Sequence, residues 1–282
     1  MKKCIIFGAG QVGRMLKNLL STEFRVASYT DNNRRLWGTY VNGVSVVSPE
    51  EALYMNPDCI WIATVNRDSE AEIGDYLREH GFVGKIESST DFRDKYDIRL
   101  AVLRLIAERM HSEGVLGEVA ELGVYQGIFA SEINKLFPGR QIYLFDTFTG
   151  FCREDIEVEK SKGLGPTFLS DFSTTSVEQV LSSLSFPDMA RVFAGRFPET
   201  APDDPTLAFS FVSLDADLYN PTYEGLRYFY PRLSRGGVIM IHDYNSLQFP
   251  GVREAVNQYC NENAVFIIPL PDFHGTVILQ KT

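Results

Sequence analysis

Two stretches of this chain place an apolar strand, a glycine-rich turn and a helix in immediate succession, and that order restricts the fold more than any other feature. The first is Cys4–Phe7 followed by Gly8-Ala9-Gly10-Gln11-Val12-Gly13, with apolar residues at helical spacing from Val12 to Leu20. The second is Glu118–Leu122 running into Gly123-Val124-Tyr125-Gln126-Gly127. Glycine at such a bend tolerates positive φ and lets the backbone approach a ligand closely, while the helix start favours an anionic or carboxylate group. Strands alternating with helices imply a parallel sheet covered on both faces. A chain of 282 residues has room for two such sheets with separate cores.

In the first part, Arg25–Tyr29 and Cys59–Ala63 read as further strands, and Asp68–His80 as a helix that Gly81 ends. The polar run Ser88-Ser89-Thr90-Asp91 breaks the alternation, so the expected domains are residues 1–90 and 91–282. A helix follows from Tyr96 to His111. Then come strand signals at Glu118–Leu122, Gln141–Phe145, Arg191–Phe193, Ala208–Leu214 and Gly237–Ile241. Val265–Pro269 and Thr276–Gln280, on either side of a turn-rich segment, read as a closing antiparallel hairpin. The expected fold class is α/β with two Rossmann-like domains, the second carrying a seven-stranded, mostly parallel sheet, a pattern found in class I methyltransferases that by itself also suits other doubly wound folds. The mixed-charge run Glu154–Lys162 reads as a solvated loop, and Lys162-Gly163-Leu164-Gly165-Pro166 as part of a lid.

The formal net charge of −10 repels a phosphate backbone or an anionic membrane, and no basic stripe offsets it. The four cysteines contain no C-x-x-C pair, and three fall in or beside apolar runs, as buried thiols do. The N-terminal apolar stretch is too short for a signal peptide or a span, so the cytoplasm is the expected location.

Asp146 ends the strand after the second glycine-rich turn, where a carboxylate can accept from both hydroxyls of a ribose. Asp31 stands in the same relation to the first turn, making Gly8, Gly10, Gly13 and Asp31 a candidate nucleotide site. Farther on, Asp215 follows one buried strand while His242 and Asp243 follow the next. Adjacent parallel strands bring those tips into one crevice, where three ligands can hold a divalent ion and leave positions open for substrate oxygens. The competing structural readings are that strand-end acids cap helices and that His242 is a hydrogen-bonded core group.

From residue 96 to 280 the wording resembles the macrocin O-methyltransferase family, which methylates sugar hydroxyls of macrolide antibiotics. The resemblance rests on Glu121-Leu122-Gly123 with Tyr125 and Gly127, Asp146-Thr147-Phe148-Thr149-Gly150-Phe151, and Ala194 to Thr200. It continues through Leu214-Asp215-Ala216-Asp217-Leu218-Tyr219, His242-Asp243-Tyr244 and Gly251 to Val256. It implies S-adenosylmethionine as cofactor, with Glu121, Gly123, Tyr125 and Gly127 at the methionine end, Asp146 on the ribose, Phe148 beside it, Gly195 near the adenine, and Asp215 at the same site. It implies magnesium at Asp215, His242 and Asp243, although related enzymes carry an acid where His242 stands. The histidine admits manganese or another transition metal. The proton acceptor is left open among Asp215, Asp217 and His242. The glycine-rich turn also resembles that of the catechol O-methyltransferase group, but the lysine that serves there falls at Leu218 here, and the loop Phe151–Ser173 lacks the histidine of macrocin-type enzymes.

Residues 1 to about 90 resemble the UDP-sugar-binding domain of sugar-nucleotide acetyltransferases, through Asp31-Asn32-Asn33, Val41-Asn42-Gly43-Val44 and Ser48-Pro49-Glu50-Glu51. The expectation is metal-dependent O-methylation of a sugar, glycan precursor or glycosylated metabolite, as in polysaccharide biosynthesis. The acceptor is a small molecule or glycan, free or nucleotide-linked, and the protein a homo-oligomer. The alternatives are an NAD-dependent oxidoreductase or a nucleotide-sugar binding module acting through the N-terminal domain.

Overall fold

The computed structural model describes residues 1–165 and 171–282, and the chain divides into two compact units, residues 1–98 with 271–273, and residues 99–270 with 274–282. Pro166, at the end of the lid segment expected from sequence, lies outside the described residues.

The first unit is built on strands β1 (Lys2–Phe7), β2 (Phe24–Thr30), β3 (Tyr40–Val41), β4 (Val44–Val47), β5 (Cys59–Ile62) and β6 (Lys85–Ser88), in the order β3-β4-β2-β1-β5-β6. All neighbours are parallel except the β3–β4 hairpin. The helices are α1 (Gln11–Leu19), α2 (Pro49–Tyr54), α3 (Arg67–Glu79) and α4 (Ser89–Lys95). Alternate β1 side chains serve opposite faces: Ile5 and Phe7 pack with Ala52 of α2 and Leu77 of α3, while Ile6 packs with Leu16 of α1 and Tyr29.

The second unit begins in α5 (Ile98–Ser112) and holds α6 (Ile128–Leu136), α7 (Arg153–Lys162), α8 (Val177–Ser183), α9 (Tyr219–Arg232) and α10 (Pro250–Asn263). Its strands are β7 (Glu118–Leu122), β8 (Ile142–Asp146), β9 (Ala190–Ala194), β10 (Phe209–Leu214), β11 (Leu233–Ile241), β12 (Ile268–Pro269) and β13 (Val277–Gln280), ordered β12-β13-β11-β10-β7-β8-β9. The first five are parallel; β13 runs antiparallel to β11 and β12 antiparallel to β13. One face is covered by α9 and α10 through Leu226, Phe229, Val252 and Val256, the other by α5 and α6 through Leu103, Ala107 and Ile133. The order reverses at β7, so the crevice above its tip is where a doubly wound sheet takes a ligand.

Three sequence expectations are corrected. Glu154–Lys162 is a helix rather than a solvated loop, because Asp155, Ile156 and Glu159 are buried. Arg196 and Asn220 donate to Asp155, and the Tyr219 backbone N–H donates to Glu159. The polar run at 88–91 does not separate the units: Ser88 caps α4, Ser89 Oγ donates to the Thr64 carbonyl, and the compact units divide between Ile98 and Arg99 rather than between residues 90 and 91. Tyr96 closes α4, its N–H on the Phe92 carbonyl, so α5 starts at Ile98 rather than at Tyr96. Among the described residues no helix is long and apolar enough to cross a membrane.

Candidate active site

The glycine-rich turn after β7 is held by the strand beside it. Asp146 Oδ2 accepts from the N–H groups of Val124 (2.7 Å) and Tyr125 (2.8 Å), and Oδ1 from Phe148 N–H (2.8 Å). Gly123 has φ +85°, and a Cβ there would stand 2.0 Å from the Asp215 carbonyl oxygen, so no side chain fits. That contact draws the turn against the tip of β10. Gly195, next to the end of β9, bonds through its N–H to the Asp146 carbonyl at 2.9 Å, which places it at the neighbouring strand tip. Gly127, at φ +81°, forms the N-cap of α6.

Parallel pairing of β10 with β11 sets Leu214 opposite Ile241, so Asp215 and His242-Asp243 emerge side by side. His242 Nδ1 lies 3.0 Å from Asp215 Oδ1 and 2.8 Å from Asp243 Oδ2. One oxygen each of Asp215, Asp217 and Asp243 lies within 4.8 Å of the others, and so do ligand atoms of His242, Asp243 and His274. Asp217, Asp243, Tyr125 and Phe148 all have φ between +48° and +60°, a conformation that costs non-glycine residues energy and gathers at functional sites.

Electrostatics separate these carboxyls. Burial alone would raise Asp215, but the charges of His242 and Arg99 hold it well below the usual carboxylate range. Asp243, also opposed by burial, is lowered to about 2 by its hydrogen bond to His242 and by the nearby His274 imidazole. Asp217 moves the other way: burial and the neighbouring Asp215 and Asp243 charges push it well above its ordinary value. His242, which burial would lower, is raised to about 10, chiefly by Asp215. Neighbouring carboxyls in one crevice are therefore shifted in opposite directions.

Two residues of the site were absent from the sequence reading. Arg99, on the first turn of α5, donates from Nη1 to Asp215 Oδ2 (2.9 Å) and from Nη2 to Ser213 Oγ (3.1 Å). Its guanidinium stacks on Phe129 at 3.9 Å. His274 precedes β13, whose antiparallel register sets Val277 opposite Ile241 and so returns the chain to the tip of β11. No local signal marks either position, because both act through partners far away in sequence.

Glu121 ends up 1% exposed. Ser213 Oγ donates to its Oε1 at 3.0 Å, while Oε2 finds no partner among the described residues. Burial raises its pKa to about 8 against the opposing charge of Arg99. An orphaned carboxyl oxygen beside a tight glycine turn fits a ligand bearing an ammonium or sulfonium group, and S-adenosylmethionine carries both. For a divalent ion, the converging carboxylates and imidazoles form a competent donor set. Of the residues expected from sequence, Glu121, Gly123, Tyr125, Gly127, Asp146, Phe148 and Gly195 therefore line one turn and its neighbouring strand tips, and Asp215, Asp217, His242 and Asp243 form one cluster.

In the first unit, Asp31 Oδ2 accepts from Ala9 N–H and Oδ1 from Asn33 N–H, both at 2.8 Å. This repeats the arrangement of Asp146 with Val124 and Phe148. A Cβ on Gly13 would stand 2.0 Å from the Gly8 carbonyl oxygen, whereas one on Gly10 would meet nothing within 4 Å.

Residues 96–274 match the family model described as Macrocin-O-methyltransferase (TylF), and residues 1–84 match one described as C2185-like, N-terminal. Mycinamicin III 3''-O-methyltransferase of Micromonospora griseorubida is 31% identical over 179 residues, which are 59% of this chain and 69% of that protein. The 8-demethyl-8-(2,3-dimethoxy-alpha-L-rhamnosyl)-tetracenomycin-C 4'-O-methyltransferase of Streptomyces olivaceus is 28% identical over 195 residues, 65% of this chain and 72% of that protein. Among solved structures, the O-methyltransferase NovP superposes with a TM-score of 0.53 at 24% identity, over 65% of this chain and 79% of its own, a likeness of fold. With the family model spanning more than half of the sequence, the chain belongs to the macrocin O-methyltransferase family of S-adenosylmethionine-dependent methyltransferases.

Proposed function

We propose that the chain methylates a hydroxyl of a sugar, glycan precursor or glycosylated metabolite, with a divalent cation, magnesium or manganese, at Asp215, His242 and Asp243. The observation that carries this reading is the meeting at neighbouring strand tips of the triad Asp215, Asp217 and Asp243 with His242, whose Nδ1 lies within 3.0 Å of both Asp215 and Asp243. It adjoins the turn in which Gly123 packs on the Asp215 carbonyl. The printed names of the Micromonospora and Streptomyces relatives, both O-methyltransferases of glycosylated products, support the acceptor class.

S-adenosylmethionine, when bound, supplies a methyl group on a sulfonium. A divalent ion held by Asp215, His242 and Asp243 would supply Lewis acidity for the acceptor hydroxyl, a poor nucleophile when unassisted. Glu121 faces the cationic methionine end, with Gly123, Tyr125 and Gly127 around it, and Asp146 holds the ribose with Phe148 alongside and Gly195 near the adenine. Asp217 takes the hydroxyl proton: burial and two neighbouring acids make it a stronger base than an ordinary aspartate. Arg99 fixes Asp215 from the side away from His242.

The test is transfer of labelled methyl from S-adenosylmethionine to a panel of nucleotide sugars and glycosides. Asp217→Asn is expected to lower kcat by about 10²- to 10⁴-fold while the cofactor Kd stays unchanged. No transfer to any sugar hydroxyl, or an Asp217→Asn variant as active as the parent, would overturn the respective part.

A second reading concerns the first unit. Its Asp31–Ala9 arrangement and the open space at Gly10 support a nucleotide or nucleotide-sugar site formed by Gly8, Gly10, Gly13 and Asp31. Calorimetry with nucleotide sugars and NAD(H) separates acceptor docking from the oxidoreductase alternative. In either case Gly10→Val should abolish binding, and binding of neither ligand would remove the reading.

A further inference from the structure

The cluster at the tips of β10 and β11 has more nitrogen in it than a magnesium site needs. His242 contributes one imidazole, and the loop before β13 brings a second. His274 Nδ1 stands 3.8 Å from Asp243 Oδ1, and the two imidazole rings lie with centroids 4.7 Å apart, inclined by 32°. The remaining edges of the cluster are the 3.0 Å and 2.8 Å separations from His242 Nδ1 to Asp215 and Asp243. Metal–ligand bonds of about 2.1 Å put neighbouring ligand atoms ~3.0 Å apart in an octahedron and ~3.4 Å apart in a tetrahedron. The observed edges bracket those values. Asp243 is the hub, with one carboxylate oxygen toward each imidazole.

Magnesium binds oxygen and water and gains little from imidazole, whereas iron, nickel, copper and zinc ions take it readily and manganese accepts it alongside carboxylates. Two imidazoles with a carboxylate form the facial donor set of first-row transition metals. We propose that this site is a mixed imidazole–carboxylate centre in which His274 joins His242, Asp243 and Asp215, and that it selects a first-row transition metal over magnesium. The inference rests on the reading that a cation occupies this cluster, and it specifies which chemistry of cation. His274 is partly exposed, 44% at its side chain, so it is the ligand through which the site meets solvent, and its removal leaves the buried carboxylates in place.

The experiment uses the full chain, stripped with chelator and titrated separately with Mn²⁺ and Mg²⁺. Free Mn²⁺ is followed by its EPR signal and Mg²⁺ by competition, and pulsed EPR of bound Mn²⁺ counts ¹⁴N couplings. The expected result is one Mn²⁺ per chain, bound at least ~100-fold tighter than Mg²⁺, with couplings from two imidazoles. His274→Ala should remove one coupling and weaken Mn²⁺ roughly tenfold or more, leaving Mg²⁺ affinity and the thermal midpoint of the stripped protein unchanged. His274→Asp should narrow the gap between the ions by supplying oxygen in place of nitrogen. Equal affinity for the two ions, or a single ¹⁴N coupling unaffected by His274→Ala, would overturn the transition-metal assignment and leave a cation site standing. Absence of any bound ion would overturn both readings together.

Discussion

Glu121 gives the account its sharpest energetic test. A buried carboxyl whose pKa rises from 4.5 to about 8 keeps its proton in the folded protein long after the unfolded chain has released it. The stability this group contributes is fully present below pH 4.5 and is lost progressively as pH climbs toward 8, because over that window only the native state binds the proton. The slope is about 1.4 kcal/mol per pH unit, so between pH 6 and 8 the native state should lose roughly 2 kcal/mol through Glu121 alone. Glu121→Gln has nearly the same shape, keeps an acceptor for Ser213 Oγ and does not titrate. Urea denaturation followed by far-UV circular dichroism at pH 6, 7 and 8 should show the two proteins diverging by that amount, the variant becoming relatively more stable as pH rises. Both tryptophans, Trp37 and Trp61, lie in the first unit, so their fluorescence serves as a control that should not separate the proteins. The same shift predicts a linkage to cofactor. At pH 7 about nine in ten Glu121 side chains are protonated, and a cationic methionine end should draw that proton off. Calorimetry in buffers of different ionisation enthalpy should then report close to one proton released by the parent and none from this position in the variant. Parallel stability–pH curves, together with identical proton release, would refute the reasoning.

Other perturbations follow from the same geometry. Arg99→Met leaves Asp215 with His242 as its remaining cationic neighbour in a partly buried site, and should cost on the order of 2–3 kcal/mol in a thermal or urea melt. Arg99→Lys should recover only part of this, because an ammonium cannot span Asp215 and Ser213 as the guanidinium does. Gly123→Ala forces a Cβ onto the Asp215 carbonyl at φ +85°. It should cost several kcal/mol and weaken cofactor binding measurably by calorimetry.

The sheet of the second unit was legible in the sequence because its central strands are largely buried and each is closed by its own turn. β10, Phe209–Leu214, is buried at every residue and reads as a continuous apolar run, as a central parallel strand must. The cluster at the strand tips followed from topology, since an acid after one strand and another after its neighbour have to meet. Four things did not follow. The charged helix α7 reads as solvated because its burial depends on Arg196 and Asn220, 41 and 65 residues from Asp155. The run Ser88–Thr90 reads as a domain boundary although all three residues are buried, its hydroxyls satisfied by Thr64, by Glu70 and by the helix it caps. Arg99 reaches Asp215 across 116 positions, and His274 reaches the site only through the antiparallel return of β13. Periodicity reports which face of an element is apolar; it carries no information about which distant polar group completes a buried charge.

The central claim is that the turn after β7, steadied by Asp146, is the seat of S-adenosylmethionine. Isothermal titration of the full chain with this cofactor tests it directly, beside Asp146→Ala, which removes the acceptor of the Val124, Tyr125 and Phe148 N–H groups. The account predicts one site per chain in the parent and a Kd at least ~10-fold weaker in the variant, since losing a charged acceptor for three donors costs about 1.5 kcal/mol or more. A parent that binds no S-adenosylmethionine, or a variant that binds it as tightly, would contradict the account.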